Sequence, residues 1–331
     1  FFTNGSMPVR LPAKKYKKKN PTVARLSFEG SGGETKFIDT ALALSIINQK
    51  AFSQQAYYYI NSIELYNNEN AYIDIHTLPD TWYLRSAYTR GRRIFNEMND
   101  RIIKQMSGDI TPKYHDFNVY MDDRHRTTGN MLPSLYSVNA AQTAFTADEW
   151  AYSQYVSADS DGDIVVDPGA PSGFKVNQEA DDFYIHMMGA HVGSSDNWTS
   201  VGLLRSYVDT KVRVQASEPN LPSFAQMSGD PLANIVDYSS EEQVNDLVQR
   251  LQDDNDQPPY DHNDSPGTGV YHLQHVARLA TSVETGRVTK ASGFCAPLGL
   301  ICVDPQSIAT GWRVVLNLAQ GTYNGVYAER V

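Results

Sequence analysis

Cysteine is nearly absent: Cys295 and Cys302 are the only two among 331 residues. That excludes a disulfide-stapled scaffold and suits assembly in a reducing compartment. The two lie seven apart in one apolar segment, which as a strand turns them to opposite faces and argues against a bridge. Long hydrophobic runs are also missing. Clusters such as 41–47 and 294–303 are interrupted by Ser, Asn, Gly or Pro, so no segment is predicted to span a bilayer as a helix. The chain lacks a Walker loop, a G-x-S-x-G elbow and an H-E-x-x-H pair, and no repeat of solenoid or propeller length occurs. No cofactor is expected, and no catalytic constellation is visible.

Acid is missing from the one stretch where base is concentrated. No Asp or Glu precedes Glu29, while Arg10, Lys14, Lys15, Lys17, Lys18, Lys19 and Arg25 all precede it. The whole chain has 28 basic and 38 acidic residues, so removing these seven leaves 21 against 38, a formal charge of −17. A basic arm is joined to an acidic body. Like charges in a block repel and keep the segment extended until an anion neutralises them. Pro8, Pro12 and Pro21 punctuate the same stretch. Residues 1–21 therefore read as an arm, 22–331 as the folded body, and the seven cations as candidate nucleic-acid contacts. A solvated tail is the bland alternative.

The body is rich in tyrosine, with 20 against 12 Phe and 4 Trp, which favours half-buried strands and subunit contacts. Segments 22–28, 35–39, 54–65 and 71–76 read as strands, the last two as a hairpin across Asn67–Asn70. Segment 41–49 is either a helical turn or irregular. A helix is predicted from Asp80, as its N-cap, to Gly108, with Leu84, Ala87, Tyr88, Ile94, Phe95 and Met98 on the apolar face. Arg90, Arg93, Glu97, Arg101 and Lys104 share one flank, as a solvated face or as a second nucleic-acid contact. Further strands are predicted at 114–120, 131–138, 149–156, 183–188, 202–210, 211–214, 270–277, 287–290, 298–303 and 312–318. A second helix is predicted at 241–252, an acidic, Pro-rich loop at 253–269, and a final strand or exchanged tail at 321–328. With no βαβ rhythm, the expected fold class is all-β: an antiparallel sandwich with long loop insertions and two helices.

Two metal readings are weak. Asp159, Asp161 and Asp163 alternate as in a Ca²⁺ loop, but Ile164 holds the place where glycine is needed and no Glu closes the loop. A solvated turn fits better. His186, His191, His272 and His275 lack ligand spacing.

Several stretches resemble capsid proteins of small circular single-stranded DNA viruses. They are Tyr57–Trp82, ending H-T-L-P-D-T-W, then D-E-W-A-Y-S at 148–153, N-D-Q-P-P-Y-D at 255–261 and A-P-L-G-L-I at 296–301. The resemblance implies a jelly roll of two four-stranded antiparallel sheets. It implies self-assembly into an icosahedral virion shell, and an inward arm that neutralises a single-stranded DNA genome. The arm here is shorter and poorer in arginine than that resemblance implies. A nucleic-acid-binding protein that does not assemble, and a β-sandwich carbohydrate-active or carbohydrate-binding module, remain the alternatives.

Overall fold

The computed structural model of the chain describes residues 21–105, 116–135, 143–158, 180–194, 197–209, 273–282, 286–306, 308 and 310–331. The first block of the chain supplies four strands: β1 (Arg25–Ser31), β2 (Lys36–Asp39), β3 (Ala56–Tyr66) and β4 (Ala71–Thr77), with helix α1 (Thr40–Asn48) between β2 and β3. Next come α2 (Trp82–Gln105), α3 (Asp123–Thr128), β5 (Ser134–Leu135), β6 (Thr143–Ala144), β7 (Gln154–Ala158), β8 (Ala180–His186), β9 (Val192–Ser194), β10 (Asn197–Gly202) and α4 (Leu203–Asp209). The last block holds β11 (Gln274–Thr281), β12 (Val288–Ala296), β13 (Leu300–Gln306), β14 (Gly311–Leu318), β15 (Gln320–Tyr323) and β16 (Ala328–Arg330).

Eight of these strands form two antiparallel sheets. One runs β1-β14-β3-β12 and the other β11-β4-β13-β2. Both therefore join the first block to the last. The two-residue period assigns their faces. Leu26, Phe28, Ile63, Leu65, Val314 and Leu316 of the first sheet share one core with Ile38, Ile73, Ile75, Leu279, Ile301 and Val303 of the second. The fold is thus an all-β sandwich. In β3 the period slips: Asn61 is an extra residue relative to β14, so Ile60 and Ile63 both face the core.

The other face of the second sheet is buried too. Phe37, Leu300 and Cys302 alternate with the inner residues and pack under Leu84, Ala87, Tyr88 and Phe95 of α2. Phe117, Val119, Met121, Met187 and Met188 complete this second core. Described residues between β4 and β11 thus form an outer layer on one sheet. Within it, β7, β8, β10 and β9 make a small sheet in which the β8–β10 pair is parallel, an exception to the antiparallel expectation.

Several expectations are corrected. Four α-helices lie among the described residues, not two; the helix expected at 241–252 and the loop at 253–269 lie outside them. The strand expected at 202–210 is α4, because Leu203, Leu204 and Tyr207 recur at helical spacing and pack against α2. Residues 116–119 of the strand expected at 114–120 are irregular, and Tyr120 joins β8 through a bridge to His186. Asp80 does not cap α2: the Thr81 hydroxyl accepts from Leu84 N, while Asp80 binds Arg85. Ile94 is 44% exposed rather than buried. Cys295 and Cys302 belong to strands in different sheets, separated by the tight corner at Pro297–Gly299. The C-terminal strand β16 pairs with β3 of its own chain.

Candidate nucleic-acid interface

Arg10, Lys14, Lys15, Lys17, Lys18 and Lys19 lie outside the described residues. The root of the arm is described. Val23 N donates to Asn48 Oδ1 at 2.7 Å, Asn48 Nδ2 donates back to Val23 O at 3.2 Å, and Lys50 Nζ donates to Pro21 O at 3.0 Å. Thr22 Oγ1 donates to Asn324 O, and Leu318 N to Ala24 O. The end of α1 and the 323–326 turn therefore fasten the chain from Pro21 onward.

Arg25 belongs to the folded body. It is the first residue of β1 and donates to Glu64 Oε2 at 3.2 Å across the outer face of the first sheet. Glu64 is a hub. It also accepts from Tyr66 Oη and Asn317 Nδ2 and lies 3.5 Å from Lys290 Nζ. Burial pushes its carboxyl upward, but Tyr66, Arg25, Lys290 and Asn317 together hold it below the ordinary value. Arg313 pairs with Glu29 at 3.0 Å on the same face. Arg25 and Lys290 share Glu64 while Arg313 pairs with Glu29, so acids are interspersed among the cations of this sheet face.

Helix α2 carries Arg85, Arg90, Arg92, Arg93, Arg101 and Lys104 against Glu97 and Asp100. Arg85 is held bidentately by Asp80 and stacks over Tyr57 at 4.5 Å, and Arg93 pairs with Glu97 at 2.9 Å. Exposed pairs of this kind contribute little to stability, typically about 0–1 kcal/mol.

His186 and His191 serve the outer layer, whereas His275 stands on a sandwich strand. His186 Nδ1 meets Ser200 Oγ and its Nε2 meets Ala190 O; burial lowers its pKa to about 4. His191 Nδ1 accepts from Gly202 N. His275 lies 3.3 Å from Asp74 Oδ1, and His272 lies outside the described residues. Asp159, Asp161 and Asp163 also lie outside them. Among the described residues, no three His, Cys, Asp or Glu side chains converge as a metal site.

One constellation was not found from sequence. Asp39 is 1% exposed at the end of β2. Its Oδ1 accepts from Ala41 N and Leu42 N, capping α1. Its Oδ2 accepts from Gln54 Nε2 at 2.7 Å and Tyr152 Oη at 3.2 Å. Gln54 Oε1 accepts from Val119 N at 2.8 Å. Tyr152 in turn accepts from Asn130 Nδ2, and Asn130 Oδ1 faces His125 Nε2 at 2.6 Å. Met121 N donates to His125 Nδ1, so the neutral ring carries its proton on Nε2 and donates to Asn130. Every bond in the chain points towards Asp39. The available signal was Asp39-Thr40 before the apolar run Ala41–Leu44, an N-cap pattern.

Compared with protein-family models, with curated proteins and with solved structures, the chain matches none.

Proposed function

We propose that this chain is the subunit of a closed icosahedral shell, without catalytic activity, and that its basic arm packages a single-stranded DNA genome. The observation that carries the reading is the strand order. Counting only the eight sandwich strands, the first, eighth, third and sixth form one sheet and the fifth, fourth, seventh and second the other. Two interleaved Greek keys generate that order, so we take the sandwich to be a jelly roll. The reading makes the outer layer between β4 and β11 a single large insertion between the fourth and fifth strands, in place of scattered projecting loops.

The arm supports the same reading. It is rooted beside β1 at one end of the sandwich, and the body it leaves is acidic. Polycations neutralise phosphate by releasing counterions, whereas an acidic body avoids it. Identical bodies joined by repeated heterologous contacts close into a shell when the rotation between neighbours closes.

Light scattering and negative-stain microscopy of the purified protein, with and without single-stranded DNA, test the reading. A uniform particle many subunits in size is expected. A strict monomer at high protein concentration under both conditions overturns it.

A further inference from the structure

The apolar stripe of α2 runs on past the core that it covers. Ile94 follows Ala87 and Gly91 at helical spacing, yet it is 44% exposed. It lines a cavity of about 220 Å³ between α2, the small sheet and α4. Gly91, Phe183 and Ile185 of β8, Val201 of β10 and Leu203 of α4 line the same cavity. Because Ile94 both lines the cavity and reaches solvent, it stands at the opening. Phe183 and Val201 pack only partly into the second core.

The walls are held in place. Tyr155 Oη of β7 donates to Gly91 O at 2.6 Å, tying the small sheet to α2. A Cβ at Gly91 would stand 2.9 Å from Leu203 Cδ1 and 3.2 Å from Phe117 Cζ, so the glycine lets α2 approach α4 closely. Arg90 and Tyr207 line the cavity and also a wider groove beside it, to which Arg85 and Arg93 contribute. Three arginines thus meet in the groove, and among the described residues no Asp or Glu lines either space. Asp80 and Glu97 pair with Arg85 and Arg93, but exposed pairs of this kind are weak and yield to a better anion.

We propose that this site binds a small anionic amphiphile, a carboxylate with a short apolar chain: the chain fills the cavity and covers Ile94, and the head group lies in the arginine groove with Arg90 at the junction. The inference goes beyond the shell reading and stands without it. Size sets the length of the chain. A cavity of about 150 Å³ takes benzene, so one of 220 Å³ admits about eight carbons. A chain laid against Ile94, Phe183 and Val201 removes further apolar surface from water. A nucleobase suits the cavity less well. Its edge carries several donors and acceptors, whereas the polar side chains of the lining are Arg90, Tyr155, Ser206 and Tyr207, and Tyr155 is engaged by Gly91. Base edges left without partners there oppose entry. The sign of the head group follows from the three arginines.

Titration calorimetry of the full chain with saturated carboxylates from hexanoate to dodecanoate tests the site. Affinity is expected to rise about three- to fourfold per methylene up to about eight carbons and then to level off as the cavity fills. Octanoate should bind several-fold more tightly than 1-octanol. Arg90→Glu, at an exposed position, should weaken octanoate about tenfold while leaving 1-octanol unchanged, a split that general loss of structure does not produce. Ile94→Asp sets a carboxylate at the opening and should weaken both ligands; circular dichroism of each variant checks that it folds. No binding at millimolar octanoate, equal affinity for octanoate and 1-octanol, a rise that continues unbroken to dodecanoate, or octanoate affinity unchanged in Arg90→Glu overturns the proposal. A single-stranded oligonucleotide that loses affinity in Arg90→Glu, with octanoate not binding, also overturns it and assigns the groove to nucleic acid.

Discussion

Replacing Gly30 by alanine tests the first sheet at its edge. Gly30 of β1 lies opposite Trp312 of β14, and the indole covers the glycine. A Cβ at position 30 would stand 2.2 Å from Trp312 Cζ2 and 2.6 Å from Cε2. No rotamer change of the new methyl relieves this, since a Cβ position is set by the backbone. Either the ring leaves its site or β1 separates from β14. Trp312 is 2% exposed, and its Nε1 donates to Gly32 O at 3.1 Å. Overpacking of a tight site costs about 1–3 kcal/mol, and losing a buried hydrogen bond adds about 1 kcal/mol. The expected destabilisation of Gly30→Ala is thus about 3 kcal/mol. Urea denaturation followed by tryptophan fluorescence and far-UV circular dichroism measures it. Gly33→Ala is the control, because its nearest neighbour would stand 3.8 Å away, an ordinary contact. In a Trp312→Leu background, Gly30→Ala should cost much less than in the wild type, a coupling that a double-mutant cycle reads directly. A loss below about 0.5 kcal/mol in the wild-type background would refute the reasoning and show that β1 yields freely.

Neutralising Lys14, Lys15, Lys17, Lys18 and Lys19 together should flatten the salt dependence of single-stranded DNA binding by about 3.5, at about 0.7 per phosphate contact. Arg25→Ala should leave that slope unchanged, because Arg25 is held by Glu64; filter binding over a salt series checks both, and a slope lowered by a full contact would return Arg25 to the arm. Gln54→Leu should destabilise by about 3–5 kcal/mol, since it orphans the Val119 amide and removes a donor from a buried carboxylate. That donor favours the ionised form of Asp39, so the loss should be larger at pH 7.5 than at pH 5 in thermal or chemical unfolding. Equal losses at both pH values would assign the effect to packing rather than charge.

The amino-acid sequence determined what depends on near neighbours. The separation of a basic arm from an acidic body, the individual strands β3 and β4, and the apolar face of α2 are readable because their periods come from the chain's own geometry; the hairpin expected across Asn67–Asn70 does not form, since β3 and β4 lie in different sheets. So is the all-β class. The same local reading failed at 202–210, where seven residues carry too few turns to separate a helix from a strand, and at Asp80, where Thr81 stands next to it and caps instead. Only the tertiary structure decided which strands share a sheet. β1 pairs with β14, almost the full length of the chain away, and nothing within either strand names the other. The same is true of charge. Arg25 looked like one more cation of the arm until β1 set it across the sheet from Glu64. Asp39 looked like one acid among 38 until folding surrounded it with donors from residues 54 and 152 and removed its water. A side chain's type is written in the sequence, but its solvation and its partners are made by contacts between distant segments, and those set its charge and its role.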